Sequence, residues 1–190
     1  MKANLLLIAA TLILAFSACN KVSEEIKRDV IIRPDSISFS IPPMTVNGDS
    51  IVIDNLPTTV NIADSIQRLG GESFSVNDIT DARLSNFSID QVLSKNDTIN
   101  RRTNLSSISY IKANLNNGTK RDSLAKVINN SSQDAFTTKL VLSNAIDNAL
   151  LKTYLSNGAL RYTLIIKPRK STIDTIKAKI AASYTLTLRK

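Results

Sequence analysis

The chain has no histidine, no tryptophan and a single cysteine, and its aromatic content is low, with four tyrosines and five phenylalanines in 190 residues. Without histidine, a Ser-His-Asp or Cys-His catalytic arrangement cannot be built, and the usual histidine-bearing zinc and iron sites go with it. One cysteine cannot form an intramolecular disulfide. Glycine and proline are equally sparse, five of each. Long apolar runs are missing too, apart from residues 5–16 at the start. Serine, threonine, asparagine, isoleucine and leucine fill the space these absences leave. Such a composition favours a non-catalytic protein with no cofactor and no metal ion.

The start carries the strongest local signal. Met1 and Lys2 are followed by the apolar run over residues 5–16 and then by Phe16-Ser17-Ala18-Cys19. A short positive end, an apolar stretch too short for a spanning helix and small residues before a cysteine resemble a bacterial lipoprotein signal peptide. Phe16 departs from the aliphatic residue usual at its position. The resemblance implies that residues 1–18 are removed, that Cys19 is acylated, and that the acyl chains hold the protein to a membrane. Each buried CH₂ contributes about 0.8 kcal/mol, so two or three chains make a durable anchor. It also gives the lone thiol a chemical reason to exist in an exported protein. The polar stretch over residues 20–25, with Ser23-Glu24-Glu25, resembles the export signal of Bacteroidota-type surface lipoproteins. The implied location is the outer membrane, lipid-anchored and exposed at the cell surface. A flexible tether is expected over residues 19–30, followed by one domain over 31–190.

Charge is uneven along the chain. The formal net charge is +8, but residues 20–94 hold 6 basic and 11 acidic side chains while residues 95–190 hold 17 and 5. A basic second half can meet an anionic partner, such as a glycan or the acidic face of an envelope protein; the candidate contacts are Lys167, Arg169, Lys170, Lys177 and Lys179. Dispersed basic residues with few aromatics argue against nucleic acid. Interleaving of strands from the two halves would mix the charges and mute the effect.

Period-two alternation recurs between turn residues and predicts an all-β antiparallel sandwich of Ig-like or Greek-key type. Ile176, Ala178, Ile180, Ala182, Tyr184, Leu186 and Leu188 form one face of the last strand. Leu160, Tyr162, Leu164 and Ile166 form a face of the strand before it, and a hairpin between the two is expected, turning at 168–171. Other expected strands cover Ile37, Phe39 and Ile41; Ile51 and Ile53; Val60 and Ile62; and residues 82–89, 107–115 and 138–142. One short connecting helix is expected near 144–156, capped by Asn144. The pattern resembles the β-sandwich domains of Bacteroidota-type surface lipoproteins.

Asp followed by Ser or Thr and then Ile or Leu occurs six times, centred on Ser36, Ser50, Ser65, Thr98, Ser123 and Thr175. It resembles the acceptor sequon for O-glycosylation of exported proteins in those lineages, with sugar on the central hydroxyl. The same order also suits an Asx turn leading into a strand. Ser123 and Lys126 match a Ser-x-x-Lys pair, but the companion Lys-Thr-Gly is missing. Asn77, Asp78 and Asp81 offer oxygen ligands without the alternation of a calcium loop. The functional expectation is a lipid-anchored envelope protein acting as a non-catalytic interaction or structural module toward an envelope protein or surface glycan. The alternative is a carrier of lipid or another apolar ligand, which requires a long internal cavity. Neither oligomeric state nor strand order can be read from the pattern.

Overall fold

The computed structural model describes residues 26–46, 49–58, 60–93, 103–130, 135–156 and 160–190. Cys19, Thr98 and the turn at 47–48 lie outside the described residues. Ten strands and two helices follow in chain order: β1 Lys27–Ile32, β2 Ile37–Ile41, β3 Ile51–Pro57, α1 Ile62–Gly70, β4 Ile79–Gln91, β5 Ile108–Asn116, β6 Arg121–Ile128, β7 Lys139–Val141, β8 Ser143–Asn144, α2 Asn148–Ser156, β9 Arg161–Pro168 and β10 Ile176–Arg189. The strands form two antiparallel five-stranded sheets, as the alternation predicted. In sheet A the order is β1-β10-β4-β7, with β2 also on β10; in sheet B it is β3-β9-β5-β6-β8.

The alternating rows are the reason the sheets pack. On β10 the residues 176 to 188 of even number are buried, and on β9 Tyr162, Leu164 and Ile166 are fully buried. These rows face each other from opposite sheets, so β9 and β10 are not the expected hairpin. The connection over 169–175 crosses from sheet B to sheet A, a step of about 10 Å. At the centre the Tyr162 and Tyr184 hydroxyls share a hydrogen bond of 2.6 Å, and Phe87 of β4 stands edge-on to the Tyr162 ring at 5.4 Å. The only hairpin of consecutive strands among the described residues is β5–β6.

Four further differences from the sequence expectation have local causes. β1 begins at Lys27, inside the expected tether, and pairs with β10 from Lys27↔Arg189 to Ile32↔Tyr184. Only Val30 and Ile32 point inward; its first three residues are exposed and charged, a common disguise of edge strands. β2 continues along the same side of β10 from Ile37↔Ile180, so the 33–36 segment with Pro34 holds one residue more than β10 opposite it.

Residues 62–70 are helix, not strand. Asn61 caps α1 by accepting the Asp64 amide at 3.2 Å, Ile62 and Ile66 bury one face, and Gly71 closes it at φ 115°. A Cβ at Gly70 would lie 2.7 Å from Leu188 Cδ1, so the Leu188 side chain would have to shift. α2 starts later than expected: Asp147, not Asn144, accepts the amides of Ala149 and Leu150, while Asn144 belongs to β8. β6 escaped detection because a bulge opposite Ala113/Asn114 places Leu124 and Ala125 side by side in the core, breaking period two.

Candidate functional surface

The two sheets present very different outer faces, and strand order decides the difference. Sheet A interleaves β1, β2 and β4 from the acidic half of the chain with β7 and β10 from the basic half. Across its strands Lys139 pairs with Asp90 at 3.4 Å and Lys179 stands opposite Asp90 in register, within β4 Arg83 pairs with Asp81 at 2.7 Å, and Lys177 stands opposite Ser40. The Arg83 guanidinium, by hydrogen bond and charge, holds the Asp81 carboxyl below the usual carboxylate range, with Asn148 adding a weaker contact. Hydroxyls stand among them, as in the Ser85–Thr185 pair at 2.5 Å and the Thr187 to Asp29 hydrogen bond at 2.7 Å.

Sheet B takes only β3 from the acidic half. Its outward residues near the end where β9 finishes fall into two rows fixed by register. One row runs Val52, Ile165, Lys112, Lys126 and Ser143; the next runs Lys167, Tyr110 and Ile128. Val52 is 55% exposed and Ile128 70%. The Lys167 ammonium lies 6.0 Å from the Tyr110 ring centre. Three lysines share these rows with three aliphatic side chains and a tyrosine, and no carboxylate stands in either row. Among the described residues, none of the three lysines has an ion-pair partner.

Further along the same face the chemistry changes. Thr163, fully buried, donates a short hydrogen bond to Asp54, and Arg121 binds the Asp54 carboxylate with both oxygens at 3.0 and 2.9 Å. The Thr163 hydroxyl is the main reason that the Asp54 carboxyl sits below its usual range, helped by the Asn55 amide and Arg121. Charge there is locally balanced.

The five basic residues expected to meet an anionic partner gather at one end of the sandwich but not on one face. Lys167 belongs to the outer face of sheet B, while Lys177 and Lys179 are exposed on the outer face of sheet A. Arg169 and Lys170 sit in the connecting loop, where both backbone amides donate to the Ser107 carbonyl at 2.7 and 3.2 Å. Missing from the expectation were Lys112 and Lys126, whose outward alternation with Ile111, Ala113 and Val127 was the available signal.

The tripeptides divide. Ser36, Ser50 and Thr175 immediately precede Ile37, Ile51 and Ile176, the first residues of β2, β3 and β10. Ser36 and Thr175 are exposed and Ser50 is half-buried. Ser65 precedes no strand: it lies in α1 with 8% exposure. Ser123 is half-buried on β6, and the chain runs extended from it to Lys126, so the pair is not held together on a helical turn. Asp78 is occupied by the Ser75 amide and hydroxyl at 2.7 and 2.9 Å, and Asp81 by Arg83. No group of three metal-ligating side chains occurs among the described residues.

Between the 33–36 break and the start of α1 lies an open, polar cleft of about 330 Å³ lined by Arg33, Asp35, Asn61, Asp64, Ser65 and Arg68. Its lining is the wrong chemistry for an apolar cargo, and the Tyr162–Tyr184 pair fills the middle of the interior. Burial drives both of those hydroxyls to higher pKa, so they stay neutral. Among the described residues, no helix is long and apolar enough to cross a membrane. Compared with protein-family models and with curated proteins, the chain matches none.

Proposed function

We propose that the protein is a lipid-anchored component of the cell envelope, attached through acyl chains on Cys19 at the outer membrane and acting as a non-catalytic interaction or structural module. Its partner is an envelope protein or surface glycan that presents negative charge. The observation carrying this reading is the gathering of Lys167, Arg169, Lys170, Lys177 and Lys179 around one end of the sandwich by the β9–β10 crossover. End loops on a rigid sandwich are a common place for recognition, and cations there accelerate encounter with an anionic partner. Of the five sequon hydroxyls among the described residues, Ser36 and Thr175 have the exposure that a transferase acting after folding requires.

Crosslinking and affinity purification from the native envelope tests the module. The protein should recover an envelope partner, and recovery should fall when Lys177 and Lys179 are replaced by glutamate. Unchanged recovery would remove this end as the contact. Cys19→Ser should release the protein from membranes, and retention of that variant would refute the anchor. Intact mass of native protein should show sugar lost on Ser36→Ala/Thr175→Ala; an unmodified native mass ends the glycosylation reading.

A further inference from the structure

We propose that the two lysine-aliphatic rows on the outer face of sheet B are a docking surface for the anionic headgroups of a lipid bilayer. The inference rests on the reading of Cys19 as an acylated anchor and extends it to a fixed orientation of the domain. Three features point to lipid and not to an acidic protein.

The first is charge complementarity over a flat area. Lys112, Lys126 and Lys167 have no carboxylate among their register neighbours, whereas Lys179 and Lys139 on sheet A both stand opposite Asp90. The second is the partner chemistry of those lysines. Val52 and Ile165 share one row with Lys112 and Lys126, and in the next row Tyr110 stands between Lys167 and Ile128. Ammonium groups in contact with phosphates, aliphatic tips entering the headgroup layer and a tyrosine at the boundary are the recurrent composition of interfacial surfaces. The third is reach. Only residues 20–26 separate Cys19 from β1, and seven residues span about 25 Å at most. A domain on so short a leash touches the bilayer with some face. Lys177 and Lys179 on sheet A stand beside Ser40, Ser38 and Asp90, with no aliphatic neighbour in register, whereas the lysines of sheet B share their rows with Val52, Ile165, Ile128 and Tyr110, which can enter the headgroup layer.

Because the chain contains no tryptophan, a single one reports on one place. Ile128→Trp in the full chain is placed at an exposed outward position, where it does not disturb the core. Its emission is followed on adding vesicles of phosphatidylglycerol or of phosphatidylcholine. The phosphatidylcholine arm measures what the apolar leader contributes. The proposal expects a blue shift with phosphatidylglycerol and not with phosphatidylcholine. Each lysine near an anionic surface raises partitioning roughly fivefold, so Lys112→Gln/Lys126→Gln in the same background should weaken it about 25-fold. Val52→Trp, in the adjacent row, should respond in the same way and guards against a local folding defect. An unshifted emission, or an equal shift with both lipids, overturns the proposal. A shift with polyglutamate but not with vesicles would reassign the face to an acidic protein, which also overturns it. Membrane release of Cys19→Ser is scored separately, so failure of the anchor and failure of the face are distinguishable.

Discussion

The outer faces of sheets A and B share one pleat, yet lysines on sheet A stand beside Ser38, Ser40 and Asp90 while Lys112, Lys126 and Lys167 on sheet B stand in rows with aliphatic side chains and a tyrosine. Sheet A weaves three strands from the acidic half with two from the basic half, and its outward charges pair as Arg83–Asp81 and Lys139–Asp90. Four of the five strands of sheet B come from the basic half, and Lys112, Lys126 and Lys167 are left beside Val52, Ile165, Ile128 and Tyr110. Topology, not composition, turns a charge asymmetry along the chain into a charged face. Mixing by strand interleaving occurs in both sheets, at Lys139–Asp90 in sheet A and at Arg121–Asp54 in sheet B, but does not reach the rows of Lys112, Lys126 and Lys167.

The sharpest way to break the comparison is to remove what holds the faces back to back. Phe87→Ala deletes a fully buried ring that bridges β4 to Tyr162 of β9 and should cost about 3–5 kcal/mol. Denaturant unfolding followed by circular dichroism should remain a single transition. Two transitions would mean that the faces belong to separately stable layers. Next in size is the tyrosine pair. Tyr184→Phe leaves the Tyr162 hydroxyl buried and alone, at a cost of about 1–3 kcal/mol, and Tyr162→Phe/Tyr184→Phe should recover part of that loss. Additive losses would deny the hydrogen bond between the sheets.

The pair also sets an alkaline limit. Both hydroxyls have raised pKa in the folded state, and burial with help from Asp122 pushes Tyr154 up to about 12. Their neutral forms therefore favour folding below the unfolded value near ~10, and stability is lost as pH rises above it. Tyrosinate absorbance should grow together with unfolding and not before it. On the acid side the sign reverses. Asp54 and Asp81 are depressed by their partners, so their contributions hold above ~4 and fade as pH falls through the folded values. Acid should thus loosen the Arg83 pair and make sheet A more like sheet B. The smallest expected effect is a deliberate version of this. Asp81→Asn/Asp90→Asn should give the outer face of sheet A weak affinity for anionic vesicles, a gain below about fivefold by sedimentation.

Strand alternation in residues 176–188 and 160–166 was legible because every second residue is fully buried. What alternation cannot express is which sheet a strand joins: Tyr162 and Tyr184 satisfy the same pattern in a hairpin and across a core. β1 was hidden by its charged exposed residues, β6 by the bulge at Leu124–Ala125, and α1 by Ile62, which extends a strand-like Val60-Asn61-Ile62. The sandwich itself was legible. The candidate surface was only partly so, because Lys167 was selected for its neighbours in sequence, while its partner across the strands is Tyr110, with Ile128 beyond it in the same row. Lys112 and Lys126 join it through register, which a single sequence does not contain.

One measurement sets the two faces directly against each other: quenching of tryptophan by brominated acyl chains in phosphatidylglycerol vesicles, with the reporter at Ile128→Trp on sheet B or at Val141→Trp on sheet A. Both native side chains are exposed and outward, Val141 at 57%. The lysine-aliphatic face of sheet B should bring its reporter within reach of the bromines and the face of sheet A should not, so quenching is expected at 128 and absent at 141. Equal quenching at the two positions, or stronger quenching at 141, would contradict the assignment of sheet B as the face that meets the bilayer.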